Sequence, residues 1–302
     1  DMTVAAQRLA KAIKAREGIA IFGDYDVDGA TSSALLYRFF SELGVVPIIY
    51  IPDRLTEGYG PTHKAFDSLK SAGARVVITV DCGATAYDPI NYASSLGLDV
   101  IIADHHVGEA RSPSALALIN PNRLDEDGSL GHLAAVGVSF LLAVAINREL
   151  RNCGWYSRNQ KEPNVMEFLD LVALGTVCDV VPLTGVNRAL VSQGLEVMRY
   201  RHNVGIASLI DVTGINSDPN AYHAGFILGP RVNAGGRIGA SDLGSKLLCT
   251  QNKNEAFIIA TKLNELNLQR QKIEKVVLDA ATEVVKTAKN KGSSLIFVGR
   301  DG

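Results

Sequence analysis

Cysteine is scarce in this chain and unpaired along it. Cys82, Cys153, Cys178 and Cys249 are widely scattered and form no CxxC pair. Zinc-ribbon and disulfide-scaffold architectures are therefore disfavoured, and a reducing cytosol suits the composition. No run of 18 apolar residues and no signal-peptide pattern is visible, which disfavours a membrane-spanning helix. Neither charge sign dominates: the net charge is −2 over 302 residues. No basic domain of the kind that nucleic-acid binders often carry announces itself, although clustered acidic metal ligands would mask a local basic groove in that sum. G-x-G-x-x-G after the first strand and G-x-x-x-x-G-K are both missing, which disfavours those modes of nucleotide binding. Internal repeats and low-complexity segments are absent too. What remains is ordinary globular composition, 47% hydrophobic and 21% charged, with length for one large domain or two.

Three short acidic segments sit where strands should end. Asp24-Tyr25-Asp26-Val27-Asp28-Gly29 follows the apolar run Ile19-Ala20-Ile21-Phe22. Asp81-Cys82-Gly83 follows Arg75-Val76-Val77-Ile78-Thr79-Val80, and Asp104-His105-His106 follows Asp99-Val100-Ile101-Ile102-Ala103. Runs this short, β-branched and apolar suit strands buried on both faces of a parallel sheet. Ligands of open α/β sheets bind outside the carboxyl ends of the strands. Three strands would thus deliver carboxylates and imidazoles to one crevice, where a divalent metal offsets the mutual repulsion.

The periodicity predicts a helix over 3–17, a strand over 19–22, a helix from about 31 to 43 and a strand over 45–51. A helix with Pro61 in its first turn should reach residue 71. A strand over 75–80, a helix over 88–96 and a strand over 99–103 follow, with one more strand over 115–119. This alternation predicts an α/β fold: a doubly wound, mainly parallel sheet flanked by helices. From about 131 the texture turns helical, with helices expected over 133–150, 164–174, 186–200, 203–212 and 220–227. The Gly/Arg-rich stretch Gly229-Pro230-Arg231-Val232-Asn233-Ala234-Gly235-Gly236-Arg237-Ile238-Gly239 should interrupt them. Residues 254–289 carry neither Gly nor Pro and read as one helix of about 54 Å, better suited to connecting domains than to filling a core. A new strand is expected over 294–298. The expected organisation is a catalytic domain over 1–250 with its α/β core to about 130, a connector helix over 251–292, and the start of a truncated second domain over 293–302.

The acidic motifs have competing explanations. Asp24-x-Asp26-x-Asp28-Gly29 opens like an EF-hand loop, but its twelfth position is Leu35 where Glu is needed, and a strand precedes it. Asp28 has a second reading as the N-cap of the helix starting near Thr31. That role does not explain Asp24 and Asp26: two apart on an extended segment, their side chains face one way and can share a cation. Asp81 has an alternative as a turn residue. Adjacent His105 and His106 should point apart, one toward metal and the other toward substrate.

In order and spacing, these three segments and Gly175-Thr176-Val177-Cys178-Asp179-Val180-Val181-Pro182-Leu183 resemble the four motifs of the DHH phosphoesterase superfamily. The stretch 229–239, with Glu57-Gly58-Tyr59-Gly60, is similar to the signature of its RecJ-like single-strand exonucleases. The resemblance covers essentially the whole chain. It implies metal ligands at Asp24, Asp26, Asp81, His105 and Asp179, with Asp26 and Asp81 bridging two ions. It implies that His106 faces the scissile phosphate and that Asp104 fixes an imidazole tautomer, with Asp28 beside them in the catalytic set. Many small-molecule relatives carry a His shortly before the first Asp. Here those positions are Ala20, Ile21, Phe22 and Gly23, so that ligand is absent, as it generally is in the exonuclease members.

Oxygen-rich ligands with one or two imidazoles suit two Mn²⁺ or Mg²⁺ ions better than zinc, and imidazole tilts the balance toward Mn²⁺. Arg231 and Arg237 are the expected phosphate grips, because Arg forks match phosphate oxygens, with Asn233 between them on the same stretch. Thr31, at the expected helix start, could present backbone N–H groups to a phosphate. Tyr59 reads either as a base-stacking residue or as a buried one. The alternative for 229–239 is a surface loop. The resemblance implies a cytoplasmic, metal-dependent 5′→3′ exonuclease that degrades single-stranded DNA in repair and recombination. Its expected partners are single-strand-binding protein and repair helicases, with no membrane. The competing readings are a small-substrate DHH phosphoesterase, acting on oligoribonucleotides or phosphonucleotides, and a non-catalytic nucleic-acid scaffold.

Overall fold

Each strand runs parallel to its neighbours, so each must be reached by a crossover, and the crossovers decide where the acidic loops meet. The computed structural model describes residues 1–158 and 160–287. The strand expected over 294–298, the second domain expected over 293–302 and the end of the expected connector lie outside the described residues. Strands β1 (Ile19–Gly23), β2 (Ile48–Tyr50), β3 (Val76–Val80), β4 (Asp99–Ala103) and β5 (Ala117–Ile119) form a sheet in the order β2-β1-β3-β4-β5. Ile21 pairs with Ile49 on one side and Ile78 on the other.

Helices α1 (Met2–Ala15), α2 (Val27–Glu42) and α5 (Ala135–Asn152) cover one face, burying Ile19, Ile21, Ile78 and Ile101. Helices α3 (His63–Ser71) and α4 (Tyr87–Ser95) cover the other, where Phe66, Leu69 and Ile90 meet Phe22, Val77 and Ile102. Both faces are dry, which is why the strands read as unbroken apolar runs. Between β1 and β3 the strand order reverses direction, and the crevice outside their carboxyl ends is the topological switch point.

The remaining elements are a 3₁₀ turn (Val165–Phe168), α6 (Leu169–Cys178), α7 (Gly185–Arg199), α8 (Val204–Thr213), a π-turn (His223–Leu228), α9 (Gly229–Ile238), α10 (Leu243–Cys249) and α11 (Lys253–Thr287). The Gly/Arg stretch does not interrupt the helices and is not a surface loop, because it forms α9. Its glycines trade helix propensity for close approach: a Cβ on Gly229 would lie 2.3 Å from Cys178 Sγ, and one on Gly236 2.9 Å from the Tyr25 carbonyl. Two start points also move. Helix α2 begins at Val27, four residues earlier than expected, and α3 is capped by Thr62, so Pro61 lies outside its first turn. The first half of α11 buries Ala256, Ala260, Leu263 and Leu266, whereas Ile273, Val276, Val277 and Leu278 are exposed. Among the described residues, no helix is long and apolar enough to cross a membrane.

Candidate metal centre

The ends of β1, β3 and β4 turn sharply enough to aim their acids into the switch-point crevice. After β1, a Cβ on Gly23 would lie 2.1 Å from Ser33 Oγ, so glycine lets the loop pass close to α2. Asp26 then caps α2, accepting the N–H groups of Asp28 at 2.9 Å and Gly29 at 3.1 Å. After β3, Asp81 adopts the left-handed region with φ 60°, which is uncommon outside glycine and is tolerated best by Asp and Asn. After β4, Asp104 organises its turn by accepting the N–H groups of His105 at 2.8 Å, His106 at 3.2 Å and Ala84 at 3.0 Å. Asp179 arrives from the helical layer as the C-cap of α6.

These loops bring all five expected ligands together. His105 Nε2 lies 3.4 Å from Asp81 Oδ1 and 3.6 Å from Asp179 Oδ2. Three sets of potential ligand atoms each fall within 4.8 Å of one another: Asp24, Asp26 and Asp81; Asp28, His105 and Asp179; Asp81, His105 and His106. Asp81 belongs to two of them. The two imidazoles do not diverge fully, as adjacency suggested. Both reach toward Asp81, with ring centroids 4.8 Å apart.

The donor set fits a divalent cation. Asp24 Oδ1, His105 Nε2 and Asp179 Oδ2 are buried without a hydrogen-bond partner, a costly state unless something else satisfies them. Among the described residues, no Lys or Arg pairs with Asp24, Asp26, Asp28, Asp81 or Asp179. Burial, and then the Asp26 charge, push the Asp24 carboxyl up to about 7. Burial also raises Asp28, with Asp179 adding to the shift, and raises Asp81, with Asp28 adding to it. Asp179 is raised by burial, which the His105 charge opposes. Each of these protons would yield to a bound cation.

Asp104 titrates the other way. Burial would raise it, but the hydrogen bond and charge of His106, with backbone N–H donors, hold it below the ordinary carboxylate range. The His106 Nδ1 to Asp104 Oδ1 contact is 2.7 Å, and that hydrogen bond raises the imidazole. Asp104 therefore grips the imidazole of His106, whose side chain is half-exposed.

Over this floor opens a cleft of about 270 Å³, with Arg54, Tyr59, Asn233 and Arg237 on its rim. Tyr59 is neither buried nor free. Its hydroxyl donates to the Asp81 carbonyl at 2.9 Å and leaves the ring half in solvent. Asn233 accepts the Val27 N–H at 3.1 Å, tying α9 to the start of α2. Three expectations are corrected. Thr31 is fully buried in the second turn of α2 and donates to the Val27 carbonyl, so it offers nothing to a phosphate. Asp28 does not cap α2. Its carboxylate accepts the N–H groups of Ala135 and Val136 at the start of α5. Arg231 turns away from the cleft, donating to Asn264 Oδ1 at 2.9 Å and the Ile227 carbonyl at 2.6 Å, which fastens α9 to α11. Two further residues line the cleft without a role legible in the sequence, Arg54 and Tyr25, whose ring lies 5.4 Å from the Arg54 guanidinium. Their available signal was position alone, each just past the carboxyl end of a strand.

Comparison with known proteins agrees with this geometry. Residues 18–176 match the family described as DHH family, N-terminal domain. The chain is 43% identical over 267 residues to the single-stranded-DNA-specific exonuclease RecJ of Salmonella typhimurium, spanning 86% of this chain and 46% of that protein. Over 286 residues it is 39% identical to the Bacillus subtilis protein of the same name, spanning 94% of this chain and 35% of that one. A crystal structure of exonuclease RecJ bound to manganese superposes with a TM-score of 0.83 at 32% identity, covering 96% of this chain and 70% of that one. The chain thus spans less than half the length of these two curated relatives.

Proposed function

The chain belongs to the DHH family, and from that premise we propose that it is the catalytic part of a metal-dependent phosphodiesterase, a 5′→3′ exonuclease acting on single-stranded DNA. The observation that carries this reading is the set Asp24, Asp26, Asp28, Asp81, His105 and Asp179 converging beneath a cleft rimmed by two arginines. Two Mn²⁺ or Mg²⁺ ions held there by Asp24, Asp26, Asp81, His105 and Asp179 would supply Lewis acidity and activation of water. The chain's own residues do the rest. Arg237 and Arg54 draw the phosphodiester into an otherwise anionic cleft, and their planar forks match its oxygens. Asp104 accepts a hydrogen bond from His106 Nδ1, which leaves Nε2 free for other work in the cleft that the imidazole lines. Its raised affinity for protons suits it to stabilise charge at the scissile phosphate or to protonate the departing sugar oxygen. Tyr59, hydrogen-bonded to the Asp81 carbonyl, walls the cleft on the side of His106.

The relatives' names support single-stranded DNA as substrate. A cytoplasmic role in repair and recombination beside single-strand-binding protein and repair helicases is part of the same proposal and rests on the family resemblance. The test uses Mn²⁺-dependent degradation of end-labelled single strands, blunt duplexes and dinucleotides. The expected outcome is loss of the 5′ label from single strands first, with duplex spared. Cleavage confined to dinucleotides would replace this reading with a small-substrate phosphoesterase, and binding without any cleavage would replace it with a scaffold.

A further inference from the structure

Helix α9, which brings Asn233 and Arg237 to the cleft, is preceded by two aromatic side chains that the described residues leave exposed. Tyr222 is 62% exposed and Phe226 73%. Their rings stack on each other, with centroids 5.3 Å apart and planes 25° apart. Residues 222, 226, 230, 233 and 237 are spaced by four, four, three and four, which places them on one stripe along the π-turn and α9. The wide π-turn keeps Tyr222 one turn above Phe226, and such turns are rare and frequently found at functional sites. The stripe is also held fast. A Cβ on Gly225 would lie 3.2 Å from Val177 Cγ1, so this segment presses on α6 just before Asp179.

We propose that Tyr222 and Phe226 form a base-stacking platform for the single strand whose end lies in the cleft. The proposal rests on the nuclease reading above. At about 1.5 Å per residue, Phe226 and Tyr222 stand about 10 and 16 Å along the axis from Asn233. At about 3.4 Å per stacked nucleotide, that reaches bases roughly three to five nucleotides from the scissile phosphate. The stripe carries its cation, Arg237, at the cleft end, while its far end is uncharged and aromatic. Phosphate is therefore gripped at the site and bases are held beyond it. Stacking of this kind tolerates any sequence, because every base has a π-face.

The test compares the wild type with a Tyr222→Ala/Phe226→Ala double variant. Binding of fluorescent strands is measured without metal, so that nothing is cleaved, and steady-state kinetics are measured with Mn²⁺. Both side chains are exposed, so an unchanged melting temperature is the control for folding. The Kd and KM for strands long enough to span the stripe should rise between about fivefold and a hundredfold per ring. Dinucleotide hydrolysis and the salt dependence of binding should not change. An abasic nucleotide walked along the strand should weaken the wild type at roughly the third to fifth position and cost the variant nothing further. Phe226→Tyr should retain binding, and Phe226→Leu should not. If the wild type degrades single strands and the double variant matches its KM at every length, the platform falls and the nuclease reading stands. If the wild type neither binds nor degrades single strands, both fall.

Discussion

Asp28 accepts the backbone N–H of Ala135 at 2.6 Å, and its other carboxylate oxygen accepts that of Val136 at 2.9 Å. Helix α5 has no side-chain cap of its own, so an acid 107 residues earlier in the chain supplies one. Asp28 thereby bolts the β1 loop to the helical layer. Asp81, equally buried, lies nearer His105, at 3.4 Å against 3.8 Å for Asp28. The two acids should therefore respond differently to substitution. Asp28→Ala orphans two N–H groups and should destabilise the metal-free protein by about 2–4 kcal/mol. Asp81→Asn keeps a residue tolerated at φ 60° and removes one charge from a repelling cluster. It should leave metal-free stability equal or higher while abolishing Mn²⁺-dependent hydrolysis. Denaturant titration of both variants without metal checks this, and a larger loss at Asp81 would refute the division of labour.

The two histidines should separate along another axis. His105 Nε2 sits among three carboxylates, so His105→Ala should raise the Mn²⁺ concentration needed for half-maximal activity at least tenfold. His106 is gripped by Asp104 and half-exposed in the cleft, so His106→Ala should lower kcat by about 10²-fold or more at saturating metal. Asp104→Asn should mimic His106→Ala, because it frees the imidazole. Calorimetric Mn²⁺ titration beside the kinetics decides the matter. Equal losses of metal affinity in all three variants would remove the distinction.

The carboxyl-end acids were legible because strands dry on both faces leave unbroken apolar runs, and whatever polar residues follow must lie in the crevice. Asp179 was not legible in this way. It caps a helix far along the chain, and only the family resemblance brought it to the site. The misplacement of Thr31 has a single cause. The first turn of α2 is Val27-Asp28-Gly29-Ala30, whose acid and glycine read as loop, although Asp26 with its extended backbone is the cap. Helix α9 was hidden by glycines whose helix cost is outweighed by the packing they allow against Cys178 and Tyr25. Arg54 lies in an irregular loop where no period exists to read.

The arginines offer a contrast that the sequence could not draw. Arg237 rims the cleft and Arg231 fastens α9 to α11. Arg237→Ala should weaken single-strand binding and reduce the log–log salt slope by about one unit or less, with Lys rescuing only in part. Arg231→Ala should leave that slope unchanged and lower stability by about 1–3 kcal/mol, through its lost bonds to Asn264 and Ile227. A reduced salt slope in Arg231→Ala with unchanged melting would reverse the assignment.

The pH dependence of stability has a contributor away from the metal centre. Asp170 lies in the first turn of α6, 2% exposed, and accepts a hydrogen bond from its neighbour Leu171. Burial pushes its carboxyl up to about 6 from the usual 3.8, against the Leu171 bond and the charges of Arg38 and His202. Folding therefore favours the protonated acid. The stability this group contributes is complete below about pH 4 and is lost as pH rises through about 6. Above that, the buried charge costs on the order of 3 kcal/mol relative to the neutral side chain. Asp170→Asn should thus stabilise the protein at pH 8 by up to that amount and change little at pH 4. The crevice carboxylates titrate in both proteins, so the difference between variant and wild type isolates Asp170. Denaturant midpoints across this range are the measurement. An equal gain at pH 4 and pH 8 would mean that the substitution acts through packing, and that the charge on Asp170 is not what the fold resists.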